Sequence, residues 1–265
     1  MYEKMIFILT LSICALFLTV LSVNAQFPED GVVGYWPFDD GTINGNTVQD
    51  VLGENDGTLD GNPKSVAGKV GKGLEFDSDN FVHIPGTDSL NFNGKEAMTV
   101  AAWINGDSDS PVDGAVPGVC CGTIVAQRDV DGWALRFDGR NAASELEFIT
   151  QPAWQGDGGF GVAAQPKGEW HHLVGVVDGK QKFLYLDGKL AKEGNFNGPM
   201  STGGTETEIG SAQKDGGFIG IIDEVVIYNR ALSEKEVEQL FAAEGLPVQP
   251  QGKLAIQWGQ IKSSF

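Results

Sequence analysis

Three cysteines and three histidines in 265 residues leave little material for a thiol- or imidazole-rich metal centre. No CxxC pair occurs, and no His and Cys set stands at zinc-site spacing, so structural zinc has no foothold. A GxSxG elbow, a P-loop and an HExxH helix are also absent, which removes the α/β-hydrolase, nucleotide-binding and zinc-protease classes. Basic residues are scarce: 18 Lys plus Arg stand against 36 Asp plus Glu, a net charge of −18. A field of that sign repels nucleic acid and anionic lipid, and favours cations or simple solubility. Helical periodicity between the strand-like runs is missing, which excludes parallel α/β folds.

The one long apolar run lies at the start, Met5 to Val23, after a weakly basic Lys4. Val23-Asn24-Ala25 satisfies the small-residue rule for signal peptidase, so residues 1–25 read as a signal peptide cleaved after Ala25. The competing reading is an uncleaved membrane anchor, for which the run is long enough. Cys14 follows Ile13 rather than a small residue, which argues against a lipid anchor. Cleavage removes one acid, Glu3, and one base, Lys4, and leaves the net charge at −18. The exported chain is then expected to be secreted or held at the cell surface. Residues 26–245 suit one all-β domain, and 246–265 form a short Pro- and Gln-containing tail. Within that tail Leu254, Ile256 and Trp258 alternate as an added edge strand would; a linker or a docking peptide fits as well.

Of the cysteines, only Cys120 and Cys121 survive cleavage, in a compartment where thiols oxidise. A vicinal disulfide would close a strained ring and stiffen its loop; two free thiols, or bridges to another chain, are the alternatives.

What the chain does have is a series of short strand-like runs about ten to fifteen residues apart, punctuated by Gly, Asn and Asp. They are Val32–Phe38, Gly73–Phe76, Phe81–Ile84, Met98–Ile104, Gly122–Ala126, Gly132–Phe137, Glu145–Ile149, Glu206–Gly210 and Phe218–Tyr228, with the Glu169–Lys189 segment among them. That segment, EWHHLVGVVDGKQKFLYLDGK, reads as three strands joined by tight turns at Asp178-Gly179 and Asp187-Gly188. In it Phe183 and Tyr185 alternate with Leu184 and Leu186, so both faces can be covered. The pattern predicts two antiparallel sheets packed face to face, as in a jelly roll. One helix is predicted: Ser233 and Glu236 form a capping box, and Val237, Leu240 and Phe241 recur at helical spacing until Gly245.

Eight motifs then occur in order: GYWPFDD at 34–40, NDGTL at 55–59, AGKVGKGLEFD at 67–77, FVHIP at 81–85, MTVAAWI at 98–104, EWHHLVGVVDG, LYLDGK, and IDEVVIYNRALSEKEVEQLF at 222–241. Together they resemble the laminin-G-like, concanavalin-A-like jelly-roll family, from Gly31 to about Gly245. The resemblance implies an all-β two-sheet sandwich used as a carbohydrate- or protein-binding module, often with calcium; it does not name a ligand. It also implies that the first and last strands meet in one sheet, bringing Asp39 or Asp40 close to Asp223, with Asp77 a further candidate.

Asp223 sits in an apolar strand, where alternation puts it on a face with Ile221 and Val225. A buried carboxylate must be paired, hydrogen-bonded or metal-bound. Asp39, Asp77 and Asp223 are thus candidate calcium ligands, since calcium takes roughly six to eight oxygens near 2.3–2.6 Å. The alternative is that loop amides hold Asp223 and the other acids cap turns. DSDSPVDG at 107–114 is not an EF-hand, because Pro111 and Val112 break its pattern.

His171 and His172 are adjacent on a strand and cannot share one metal; His172 reads as a buried, hydrogen-bonding imidazole, and His83 as a strand-surface residue. Trp36, Trp103 and Trp170 lie in strands and read as core. Trp154 borders a Gly-rich loop, and Arg128 and Trp133 flank a turn, so these three are the candidate ligand contacts. For Trp154 loop anchoring is the competing reading. Glu145 and Glu147 share a strand face but lack the remaining acids of a glycosidase strand, and read as charged surface residues. The expectation is a non-catalytic module binding carbohydrate or an extracellular protein through rim loops 106–122, 128–133 and 153–161, with a glycoside hydrolase the remote alternative.

Overall fold

A computed structural model describes residues 27–106, 121–128, 132–138, 145–150, 160–163, 168–212 and 216–243. The leader and the tail, 1–25 and 246–265, lie outside the described residues. In chain order the strands are β1 Val32–Trp36, β2 Ile43–Asn44, β3 Thr47–Val48, β4 Gly57–Asp60, β5 Lys64–Ala67, β6 Lys72–Asp77, β7 Phe81–Ile84, β8 Ala97–Gly106 and β9 Gly122–Arg128. They continue with β10 Gly132–Asp138, β11 Glu145–Thr150, β12 Gly161–Ala163, β13 His171–Asp178, β14 Gln181–Leu186, β15 Lys189–Asn195, β16 Thr207–Ile209 and β17 Ile219–Tyr228, and one helix follows, α1 Glu234–Ala242.

Every paired strand is antiparallel, and the strands form two sheets. The first runs β15-β14-β13-β8-β17-β6-β5, with β1 added against β17; the second runs β12-β11-β10-β9-β16-β7-β4-β3-β2. Alternating inward residues of both, among them Trp36, Phe76, Val100, Val125, Leu135, Phe148, Leu184 and Ile227, form the central core. A second apolar layer, with Tyr35, Val174, Tyr185, Val226 and Tyr228, lies on the outer face of the first sheet, and α1 closes it with Val237 and Leu240. As alternation predicts, Leu184 and Leu186 face the central core while Phe183 and Tyr185 face this outer layer.

Asp187 and Gly188 both carry positive φ, 51° and 75°, as a two-residue hairpin between β14 and β15 requires. At the other turn the loop is Gly179-Lys180: Asp178 still belongs to β13, and its Oδ1 accepts from the amides of Lys180 and Gln181 at 2.9 and 2.7 Å. The α1 capping box is present, with Ser233 as N-cap, and the helix ends in an extended Ala243, short of Gly245.

Strict alternation fails at one place in β17. Its pairing with β8 shifts register between Asp223 and Val226, and Glu224 there has φ 53°. The bulge changes the strand's phase, so Ile222, Val225 and Ile227 all face the central core. Asp223 therefore does not continue an Ile221–Val225 face. It and Glu224 are both buried.

Candidate functional site: an edge groove and its carboxylates

After β1 the chain crosses from the first sheet to the second through Pro37–Gly41. Phe38 makes the crossing with φ 58° and is 1% exposed, which leaves Asp39 and Asp40 outside it. Between the sheets at this edge lies a groove of about 240 Å³. Phe38, Ile43, Leu59, Pro63 and Leu74 give it apolar walls, while Asp39, Asp40 and Ser65 supply oxygens. Asp39 is fixed: its Oδ1 accepts from the Lys72 amide at 2.8 Å, and its carbonyl accepts from the amide and hydroxyl of Thr42.

Behind the groove the Gly68–Gly71 turn wraps two carboxylates. Asp223 Oδ2 accepts from the amides of Lys69 and Val70 at 2.8 and 3.0 Å, and its Oδ1 from the Glu224 amide at 2.9 Å. Burial pushes Asp223 up to about 7, and the nearby charge of Asp39 adds to the rise. Asp39 and Asp223 are thus brought together as the resemblance implies. Asp77 is not: it ends β6, five residues from Lys72 and so about 16 Å along the strand. There its Oδ1 caps a turn, accepting from the Asp79 amide and the Asn80 side chain. The Asp39–Asp77–Asp223 calcium set is therefore not assembled. Amide donors aimed at Asp223 do not fit a cation shell, and among the described residues no three His, Cys, Asp or Glu side chains are grouped to hold a metal.

Glu224 lies on the other side of the bulge. Its Oε2 accepts the Tyr35 hydroxyl, and burial raises it to about 8, opposed by that hydrogen bond. His172 is 2% exposed and packs against Trp103, ring centroids 5.0 Å apart, with Phe241 stacked on the same Trp103 at 5.4 Å. Burial lowers His172 to about 3. The imidazole is buried as the sequence predicts, but its Nδ1 has no hydrogen-bond partner. Its neighbour His171 is held by Asp187 at 2.9 Å.

The rim contacts fare differently from the prediction. Trp133 is 0% exposed: it points into the central core, edge-on to Phe92 at 6.1 Å, because β10 places it in phase with Leu135 and Phe137. It is a core residue and not a ligand contact. Arg128 ends β9 opposite Gly132. Trp154 and most of loops 106–122, 128–133 and 153–161 lie outside the described residues. Cys121 is buried and disulfide-bonded, whereas Cys120 lies outside the described residues. Trp36 is in the core, Trp103 sits under α1, and Trp170 is half-buried just before β13.

Glu147 is not a surface residue. It is 2% exposed and takes two hydrogen bonds from Arg136, at 3.0 and 2.9 Å, with Asp138 on the same guanidinium at 3.4 Å. Burial still holds the Glu147 carboxyl above its ordinary value, against the opposing charge of Arg136. The NDGTL segment is structural: Asn55 donates to the Val33 carbonyl at 2.6 Å, and Asp50 takes the amides of Tyr35, Leu52, Gly53 and Asn55.

Groove residues Phe38, Leu59, Pro63 and Ser65 escaped the sequence reading, because three separate segments contribute them; the Asp39-Asp40 doublet was the one visible signal. Glu224 was hidden because its burial depends on the bulge.

Two antiparallel sheets with a groove at their open edge and, among the described residues, one closing helix define a jelly-roll domain of lectin-like architecture. The profile described as the Concanavalin A-like lectin/glucanases superfamily matches residues 76–238, and the chain belongs to that family. No curated protein matches the chain. Among solved structures it is similar to domain 4 of AbnA, a GH43 extracellular arabinanase from Geobacillus stearothermophilus, in complex with arabinotriose: 21% identity, TM-score 0.57, covering 79% of this chain and 97% of that one. It is also similar to the binding domain of Paraclostridial Mosquitocidal Protein 1, at 19% identity and TM-score 0.60, covering 80% of this chain and 52% of that one. Trypanosoma rangeli sialidase matches at 18% identity and TM-score 0.58, with 82% of this chain and 33% of the sialidase covered. At these identities the likeness is one of fold.

Proposed function

We propose that the protein is a secreted, non-catalytic module that binds carbohydrate. The observation that carries this reading is the edge groove, where Asp39, Asp40 and Ser65 stand over the apolar walls of Phe38, Leu59 and Leu74. A sugar ring offers an apolar face to such walls and hydroxyls to such oxygens. The shared fold of an extracellular arabinanase domain, solved with arabinotriose, supports the ligand class and an extracellular setting. Arg128 and Trp154 belong to the same proposal as rim contacts. Calcium, if it supports binding, would draw on the groove carboxylates Asp39 and Asp40.

The test is calorimetric titration of the full chain with a panel of oligosaccharides that includes arabinotriose, in calcium and in chelator. Binding that falls at least about tenfold in Asp40→Ala, with folding unchanged, is the expected result. Asp40 is exposed, so the substitution leaves the core intact. Loss in Trp154→Ala with Asp40→Ala unaffected would move the ligand to the rim, and absence of binding across the panel would overturn the reading.

A further inference from the structure

Under α1 lies a small, partly open cavity of about 10 Å³, lined by Phe27, Trp103, His172, Glu224, Leu240 and Ala243. Two polar atoms in this lining have no partner: Glu224 Oε1 and His172 Nδ1. Both residues are more than nine-tenths buried, at 7% and 2% exposure. Orphaned buried polar atoms are costly, and a cavity of this size with two such partners has room for one water.

We propose that Glu224, His172 and one buried water form a hydrogen-bonded latch that holds the C-terminal helix on the sheet and opens when Glu224 loses its proton. The water accepts or donates at Nδ1 in either imidazole tautomer, and takes the proton of the neutral Glu224 carboxyl in a hydrogen bond. On ionisation that proton leaves to solvent, and a carboxylate remains in a space too small to hydrate it. Its surroundings offer little compensation. The titratable groups nearby are Tyr35 on β1, which already donates to Oε2, Asp223 on the same strand and Asp39 on the crossing turn, both of them negative. From β13 comes His172, neutral when buried, and Lys69 lies over the Trp103 ring at 4.2 Å. From α1 comes Leu240, from the residue after it Ala243, and from the N-terminal segment Phe27.

The part that gives way is α1. It spans nine residues, buries only Val237 and Leu240, and has no basic side chain in its last turn. Water drawn in by the carboxylate separates Leu240, Ala243 and Phe27, the three lids of the cavity. The strained backbone of Glu224, at positive φ inside a central strand, is what aims this acid at the lids rather than into the sandwich.

The experiment is amide hydrogen exchange of the full chain, following residues 234–243 at about pH 6 and about pH 9 after correction for intrinsic exchange. Protection of α1 is expected to fall by about tenfold more than that of the core strand β8 across this range, and this excess fall is expected to vanish in Glu224→Gln. Tyr35→Phe removes a hydrogen bond that favours the ionised acid, so its opening moves to higher pH. Equal protection at both pH values, or the same fall in Glu224→Gln, would overturn the latch. Should Glu224→Gln not fold, the Tyr35→Phe shift decides: a midpoint that stays put or moves down refutes the proposal. A high-resolution structure at mildly acid pH with a dry cavity would do so as well.

Discussion

Asp223, on the long central strand, accepts a hydrogen bond from the amide of Lys69 at 2.8 Å across 154 positions of chain. Together with Val70 and Glu224 it satisfies three backbone donors, and Asp39 satisfies a fourth in the same turn. The glycines of that turn are required by the approach. A Cβ on Gly71 would stand 2.0 Å from Asp39 Oδ1 at φ +50°, and one on Gly68 would stand 2.5 Å from Asp223 Oδ2. Gly71→Ala is expected to lower stability by about 1–3 kcal/mol, and Asp223→Ala by a similar amount through orphaned amides. Denaturant midpoints measure both; wild-type values for either variant would contradict this account of the turn.

Stability should decline toward alkaline pH. Asp223 and Glu224 release their protons in the native state at about 7 and about 8, well above the ordinary carboxylate range. From the ordinary carboxylate range up to those values the unfolded chain is ionised while the native acids keep their protons, so the native state loses ground as pH rises. His172 acts at the other end: its native value of about 3 lies below the ordinary 6.5, so stability is lost as pH falls between them. The melting temperature is therefore expected to peak at mildly acid pH, about 4–5, and to drop by about pH 8. A melting temperature that climbs from about pH 5 to about pH 8 would contradict the sign.

The Arg136–Glu147 pair predicts strong non-additivity. Glu147→Gln leaves a buried guanidinium without its main counter-charge and should cost about 3–5 kcal/mol. Replacing Arg136 and Glu147 together by apolar residues of similar size should cost much less than the two single changes added. A double-mutant cycle by thermal unfolding measures the coupling, and simple additivity would refute it.

Trp133 separates stability from recognition. Trp133→Ala empties a fully buried site beside Phe92 and is expected to cost about 3–5 kcal/mol. Carbohydrate affinity of the folded fraction should be unchanged. Reduced affinity without destabilisation would return Trp133 to the ligand surface.

Much of the sheet was legible in the sequence because alternation and turn chemistry act locally. Phe81–Ile84 was read to the residue, and the Ser233–Glu236 cap was visible as a motif. Strands such as Gly57–Asp60, Lys64–Ala67 and Gly161–Ala163 were missed, being short and lacking a clean apolar period. The phase of β17 was misread because a bulge leaves no signature in hydropathy. Trp133 was misread because a turn beside an aromatic resembles a rim, while its direction depends on which face of β10 the partner sheet covers. The groove was illegible for a different reason: its walls come from both sheets, and only their closure creates the space between them.

The antiparallel pairing of β1 with β17 sets Val32 beside Tyr228, so the chain enters and leaves the sandwich at the same corner. Tension transmitted through the two ends would load these rungs singly and in sequence, as a zipper is loaded, instead of shearing them all at once. A domain tethered in this way should yield at low pulling force, parting first along its outermost strand while the opposite sheet keeps its shape.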